Sequence, residues 1–400
     1  MATRRQDHRL LFLVHGYYPD DPRVRRQAEC LQRAGYRVLV HCTAGQAPGA
    51  SWDCNGVTVH EAEFVKTRAS LPRYVQQYLR MTRDSARLIR KLTDNEPLSL
   101  IQVATLPDFL VWATRSARRQ GTQVILDLHE SMPDFFSSKY GGLARVGIES
   151  GLRLLEKNCV RHADLVLTVN DELADSFERR FRRRPEVFYN AVDEASFGEP
   201  RATALWPETK NLVYHGTLSY VYGLDLVIRA LPEVLQAFPG TTFNVFGSGP
   251  SEPDLRALVQ DLDLTAAVVF HGRVPLTEIP KHLRNMHVGL VPTIKDSFFD
   301  MSLATKLLEY VYIGLPVVAS DLRAVKRVFP TDDALFFFSA NDHHSLARTL
   351  IDALGRPAAE ISRRISNALE LYQPIAWKTA SSRYLDLIDQ LVIRPAHHAE

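Results

Sequence analysis

The sequence predicts an α/β protein made of two Rossmann-like, doubly wound units that face each other across a cleft. Three observations predict it. Short apolar and β-branched runs alternate with amphipathic helical stretches along most of the chain, the pattern of parallel sheets covered on both faces. Four hundred residues exceed what one hydrophobic core normally holds. The alternation breaks once, between residues 190 and 208, in a stretch of Pro, Gly and turn formers without periodicity, and then resumes.

Residues 10–15 read as an apolar strand and 16–22 as a turn-rich loop. A helix over 23–34 closes at Gly35, where a left-handed residue belongs, and a strand follows over 36–42. Residues 57–64 alternate like a less buried strand, and 73–93 form a long basic helix. Further strands are expected over 100–104, 123–129 and 165–169. Beyond the linker, strands are expected over 211–215, 242–246, 267–271, 288–292, 316–319 and 335–338. The helices between them span 223–238, 252–263, 276–286, 303–313, 322–328 and 343–355, and 358–393 is helical. The boundaries drawn are 1–190 for the first unit, 191–208 for the linker, 209–373 for the second unit and 374–400 for a C-terminal helix and tail. Ligands of such sheets bind outside the carboxyl ends of the strands. The loops after His15, His129, His215, Phe246, His271 and Pro292 therefore mark the cleft.

Composition narrows the class. Apolar content of 46% and charge of 24% fit an ordinary globular protein. A net charge of +2 does not point to nucleic acid, although arginines cluster in 80–91 and 179–184. The four cysteines show neither paired metal spacing nor a disulfide framework, and read as reduced thiols. No apolar run approaches the ~20 residues needed to span a bilayer. The basic N-terminus precedes an apolar run that is too short for a signal peptide and contains His15, so a cytoplasmic location is expected.

Residues 300–321 carry the sharpest local signal. Leu303, Leu307 and Tyr310 recur at helical spacing, with Asp300 or Ser302 to cap the start, Gly314 as the left-handed stop and Pro316 just beyond. Lys306 and Glu309 lie three apart and share one helix face. Near a helix N-terminus after a strand-end loop, a lysine and amides suit phosphate, and a carboxylate suits ribose hydroxyls. Without context the same pair reads equally well as an exposed ion pair of little energetic weight.

Glu309, Gly314, Pro316, Val317, Val318, Ala319 and Ser320 stand in an order that resembles the nucleotide-sugar signature of GT-B glycosyltransferases of family 4 (glycosyl transferases group 1). Lys306 with Glu309 resembles a variant of bacterial polysaccharide enzymes in that family. The linker residues Asn190, Val192, Asp193 and Phe197 resemble the family's linker, and Ile375 and Trp377 the start of its last helix, which crosses back onto the first domain. The resemblance implies retaining hexosyl transfer from a UDP- or GDP-sugar to a glycan, lipid-linked or small-molecule acceptor. It implies no tightly held metal or cofactor, and a donor phosphate that itself takes the acceptor proton.

The remaining candidates combine local reading with that resemblance. Gly16 follows the first strand, where a glycine lets backbone approach a phosphate or sugar. His129 and Glu130 emerge at the carboxyl edge of their strand, and the resemblance places them in the active site. A lone histidine is otherwise more often structural. Gly247 and Gly249 form a small-residue turn after a strand, a weak signal alone, which the resemblance places near the nucleotide together with Gly216. The resemblance also puts backbone at Val274 on the nucleobase and Arg273 near ring or phosphate.

There are departures. The family's diphosphate-binding arginine and lysine fall on Thr217 and Tyr222, and the first glutamate of its paired glutamates falls on Met301, with Asp296 or Asp300 as replacements. They keep open an epimerase of the same fold or a catalytically silent partner subunit. Asp261 and Asp263 read as a solvated turn, and His343, His344, His397 and His398 are too isolated to ligate metal. The basic helix over 73–91, with Tyr74, Tyr78, Met81, Ser85, Leu88 and Leu92 as an apolar stripe, and the arginines of 179–184 read in two ways: as a peripheral contact for an anionic membrane surface, or as a helix packed on the sheet with arginines solvating its outer face.

Overall fold

The computed structural model describes residues 5–45, 47–67, 71–139, 144–201 and 206–393. His397 and His398, part of the linker and the tail lie outside the described residues. The chain divides into two compact units, Met1–Asn190 with Lys378–Glu400, and Ala191–Trp377.

The strands of the first unit are β1 (Arg9–Val14), β2 (Arg37–Ala44), β3 (Ser51–Cys54), β4 (Val57–Val65), β5 (Leu100–Ala104), β6 (Gln123–Leu128), β7 (Leu165–Thr168) and β8 (Glu186–Val187). They form one sheet in the order β3-β4-β2-β1-β5-β6-β7-β8, parallel throughout except for β3. Strand β1 is central and fully apolar from Leu10 to Leu13, because helices cover both of its faces. The order reverses between β1 and β5, which sets the ligand-binding crevice of this unit at their carboxyl ends.

A buried polar node fixes this unit. Asp127 on β6 receives both arms of the Arg23 guanidinium, Nε at 3.0 Å and Nη2 at 2.7 Å, and Gln27 Nε2 at 3.2 Å. Arg23 also donates to the Phe188 carbonyl at 2.6 Å. Gln102 on β5 bonds Gln27 at 2.8 Å and accepts from the Tyr384 hydroxyl at 2.6 Å. Tyr384 belongs to the last helix, Trp377–Val392, which thereby packs on the first unit. Burial alone would raise the Asp127 carboxyl, but Arg23 and His129 outweigh it and hold it well below the usual carboxylate range.

In the second unit the strands are β9 (Asn211–His215), β10 (Thr242–Phe246), β11 (Val268–Gly272), β12 (Val288–Val291), β13 (Val317–Ser320) and β14 (Phe336–Phe338). All are parallel, in the order β11-β10-β9-β12-β13-β14. The switch point lies between β9 and β12, so the ends of those strands, at His215 and Val291, flank the expected ligand site.

Three expectations need correction. Strands β3 and β8 are absent from the sequence reading. Strand β3 was legible, because Asn55 and Gly56, with φ of 56° and 80°, make the left-handed pair of a two-residue hairpin turn. The helix expected from 303 begins at Thr305, and its N-cap Ala304 has no side-chain cap bond. Asp300 instead accepts from the Arg323 amide at 2.9 Å and from Arg323 Nε at 2.6 Å, and Ser302 precedes the helix.

The third correction concerns charge. Three of the five arginines of 179–184 bond within the unit. Arg180 bonds the buried Glu156 at 2.8 Å, Arg183 donates to the carbonyls of Val160 and Ala163, and Arg184 meets Asp171, Asp175 and Glu178. Arg179 and Arg182 stay exposed, and Arg183 keeps its charge beside carbonyls. The long helix Leu71–Asn95 buries Met81, Ser85 and Ile89 and leaves Val75 and Leu79 exposed near its start. Among the described residues no helix is long and apolar enough to cross a membrane.

Candidate functional site

The helix Thr305–Ile313 aims three side chains at the end of β9, because positions 306, 309 and 310 share a face. Tyr310 is fully buried, and its hydroxyl accepts from the His215 amide at 3.0 Å. Glu309 Oε2 lies 2.9 Å from His215 Nε2. Lys306 is 8% exposed, and its Nζ donates to the Tyr214 hydroxyl at 3.0 Å. Lys306 and Glu309 are therefore not the exposed mutual ion pair that spacing alone allowed. Each reaches a different residue of β9. Gly314 closes the helix at φ 81°, as expected for a left-handed stop.

Two glycines bring the neighbouring loops backbone to backbone. Gly216 donates to the Phe246 carbonyl at 2.9 Å, and Gly247 to the Gly272 carbonyl at 2.7 Å. Gly247 has φ 148°, and a Cβ there would stand 1.8 Å from the Gly216 carbonyl oxygen. Gly247→Ala is thus expected to cost about 1–3 kcal/mol from backbone strain, with more from the clash. Urea unfolding of the second unit reads this; native stability would show that the loops separate freely.

Gly216, at φ 128°, has its vacant Cβ position 3.2 Å from Lys306 Nζ. Arg273 and Val274 follow β11 one strand farther out. Arg273 is exposed and has no hydrogen bond or ion pair among the described residues, while Val274 packs half-buried against the core around Phe246. The structure thus gathers Gly216, Gly247, Lys306 and Glu309 closely, and leaves Arg273 at the rim.

Neither replacement expected for the first glutamate is uncommitted. Asp300 is held by Arg323, and Asp296 caps the amides of Phe298 at 2.8 Å and Phe299 at 2.7 Å. Sequence reading overlooked Tyr214 and His215 as site residues, although both sit at the end of a strand flanking the switch point. Among the described residues no group of three His, Cys, Asp or Glu is arranged to hold a metal ion.

In the first unit, Gly16, Thr105 and His129 follow the adjacent strands β1, β5 and β6, so they line one carboxyl edge. His129 donates its amide to Thr105 Oγ1 at 3.2 Å and holds Nε2 3.5 Å from Asp127. Glu130 is half-buried beside it. Gly16 is not required by crowding, since an added Cβ would meet only Val14 at 3.8 Å. Lys66, which sequence reading missed, donates to the His15 carbonyl at 2.9 Å. Burial lowers its ammonium, an effect that the Asp21 and Glu130 carboxylates partly offset. Burial, with Lys66 nearby, pushes the His15 imidazole down to about 3, and its ring stands edge-on to Tyr78 at 4.8 Å. Asp108 lies behind this edge with both carboxyl oxygens unbonded among the described residues, and burial, then Glu156 and Glu130, raise it well above the carboxylate range.

A doubly wound unit with a buried lysine, a carboxylate and paired glycines at its switch point, joined to a second such unit, defines a protein of two Rossmann-like domains. Residues 209–356 match the family described as Glycosyl transferases group 1, and residues 21–191 the Glycosyl transferase 4-like domain. The chain belongs to the group 1 glycosyltransferases of family 4 type, with the GT-B fold. It is 25% identical over 310 residues to a phosphatidylinositol N-acetylglucosaminyltransferase component from Arabidopsis thaliana, covering 76% of this chain and 64% of that protein. The match thus spans a little under two thirds of that relative's length. Sucrose-phosphate synthase from Thermosynechococcus elongatus superposes with TM-score 0.75 at 16% identity, over 96% of this chain and 99% of that one. Anabaena HepE in complex with UDP-glucose superposes with TM-score 0.68 at 17% identity, over 95% and 99%.

Proposed function

We propose that the protein is a retaining glycosyltransferase that moves a sugar from a nucleoside-diphospho-sugar, a UDP- or GDP-sugar, to an acceptor hydroxyl. The observation that carries this is the divergence of Lys306 and Glu309 from one helix face onto the end of β9, beside Gly216 and Gly247. Lys306 meets the diphosphate, and Glu309 accepts from ribose. Family membership supports the reading, as does a structural neighbour solved with UDP-glucose.

In the step proposed, the bond from the anomeric carbon to the leaving phosphate oxygen breaks while the acceptor oxygen bonds that carbon on the same face. The acceptor proton passes to the leaving phosphate. Stabilising the charge on that diphosphate is the protein's largest task, assigned here to Lys306 and loop amides. His129 and Glu130 face the reacting end. The acceptor is a glycan, a lipid-linked sugar or a small molecule.

The test is incubation with a panel of nucleotide sugars and acceptors, following release of nucleoside diphosphate and the anomeric configuration of the product by NMR. Retained configuration is expected. Epimerised donor, or nucleotide binding without turnover, would overturn the reading. Within it, Glu130→Gln is expected to lower kcat about tenfold with nucleotide affinity unchanged. Calorimetry beside steady-state kinetics separates the two, and an equal loss of affinity would place Glu130 in donor binding.

A further inference from the structure

We propose that Tyr214 and Tyr222 form an aromatic cage that positions the Lys306 ammonium under Gly216, and that this caged cation is what the site offers a diphosphate. The proposal rests on the donor reading above and names two residues to which that reading gives no part.

Lys306 Nζ lies 4.2 Å from the ring centroid of Tyr214 and 4.4 Å from that of Tyr222. Both distances fall within the range in which a ring quadrupole attracts a cation, and burial strengthens that attraction. The Tyr214 hydroxyl donates to the Thr217 carbonyl at 2.8 Å, which turns its lone pairs toward Nζ, 3.0 Å away. Among the described residues no carboxylate lies within ion-pair distance of Lys306, because its helix neighbour Glu309 is taken to His215. The cage thus supplies orientation without neutralisation. An ammonium held in this way keeps its charge available for an anion, whereas a salt-bridged one would have to exchange partners.

Gly216 leaves the side of the ammonium that it faces free of a side chain. Gly216 has no side chain, and the Cβ of any other residue would stand 3.2 Å from both Cε and Nζ of Lys306. The approach to the ammonium therefore runs past the backbone of the Gly216 loop. Tyr222 is held in place by the turn Tyr220–Tyr222 and by Gly223, whose φ of 63° and close approach to the Pro292 carbonyl exclude a side chain. Where the family resemblance expects a second cation at 222, a ring stands instead. The site so described presents one buried, oriented ammonium.

Calorimetry of the full chain with UDP, and with GDP in parallel, set against uridine and guanosine, tests this. The proteins are the native chain, Tyr222→Phe, Tyr222→Leu, Lys306→Met and Tyr222→Leu combined with Lys306→Met. Tyr222→Phe keeps the ring and is expected to bind within about twofold of native, while Tyr222→Leu loses about tenfold for the diphosphate and nothing for the nucleoside. In the Lys306→Met background Tyr222→Leu is expected to change nothing further. The cage is overturned, with the donor site left standing, by diphosphate affinity that survives Tyr222→Leu, by an equal loss for the nucleoside, or by a loss that persists without Lys306. Failure of the native chain to bind either diphosphate overturns the donor reading and the cage together.

Discussion

Lys306→Met is expected to lower affinity for a nucleoside diphosphate about a hundredfold near pH 7, with the nucleoside's affinity unchanged. The magnitude follows from charge-assisted hydrogen bonds, worth about 1.5–3 kcal/mol each, since a hundredfold corresponds to about 2.7 kcal/mol. Glu309→Ala is expected to cost less, about tenfold, and to cost it for nucleoside and diphosphate alike, because ribose is common to both. The lysine variant should lose no stability. A buried ammonium without a carboxylate partner carries a desolvation cost that an apolar side chain of similar volume does not. Loss of binding in a protein that unfolds no earlier than native would locate the effect in the site.

The same interaction should depend on pH. Burial pushes the Lys306 ammonium down to about 7, with Glu309 partly opposing the shift. The groups facing it are the hydroxyl and ring of Tyr214, the ring of Tyr222, and Glu309 with His215 one turn along. Burial raises Tyr214 well above the ordinary phenol range, so it does not titrate in this window. Below pH 7 the amine is already charged. Above pH 7 binding must first take up a proton, so affinity should fall by up to tenfold per pH unit between 7 and 9. Titrations in two buffers of different ionisation enthalpy would reveal that uptake. A flat profile without proton uptake would show an ammonium that is charged throughout.

Asp127→Ala is expected to destabilise the first unit by about 3–5 kcal/mol, the usual cost of removing one partner of a buried ion pair. The cost is high because Arg23, Gln27 and Gln102 all lose a buried acceptor at once. Replacing both partners, Asp127→Leu with Arg23→Met, should recover only the part due to the unpaired guanidinium, since Gln27, Gln102 and the Phe188 carbonyl still lose a partner. The carboxyl is depressed in the fold, so its contribution is present above the ordinary carboxylate range and is lost as pH falls below about 4. Urea unfolding at pH 7 and at about pH 3 reads both. A single variant within about 1 kcal/mol of native would mean that the node is bridged in some other way.

Much of the fold was legible because its signals are local. The six strands of the second unit announce themselves as apolar runs, and the Thr305–Ile313 helix by its glycine stop. The hairpin at Asn55 and Gly56 was equally local and went unread. Strand β8, two residues long, carries too little pattern to be read.

The sequence by itself determined two doubly wound units, the break between them, and the shared helix face that pairs Lys306 with Glu309. All of these follow from periodicity and turn chemistry within about twenty residues, where backbone geometry decides which side chains lie together. Tertiary structure alone decided where those side chains end. Lys306 meets Tyr214, 92 positions away, and Gln102 meets Tyr384, 282 positions away. It also decided that Arg180 and Arg184 of the 179–184 cluster meet carboxylates, and that Asp300 serves Arg323 rather than the start of the Thr305–Ile313 helix. The physical reason is that a charge's worth depends on what packs against it. Burial, partners and the rings around an ammonium are set by which strands become neighbours, and spacing along the chain does not contain that information.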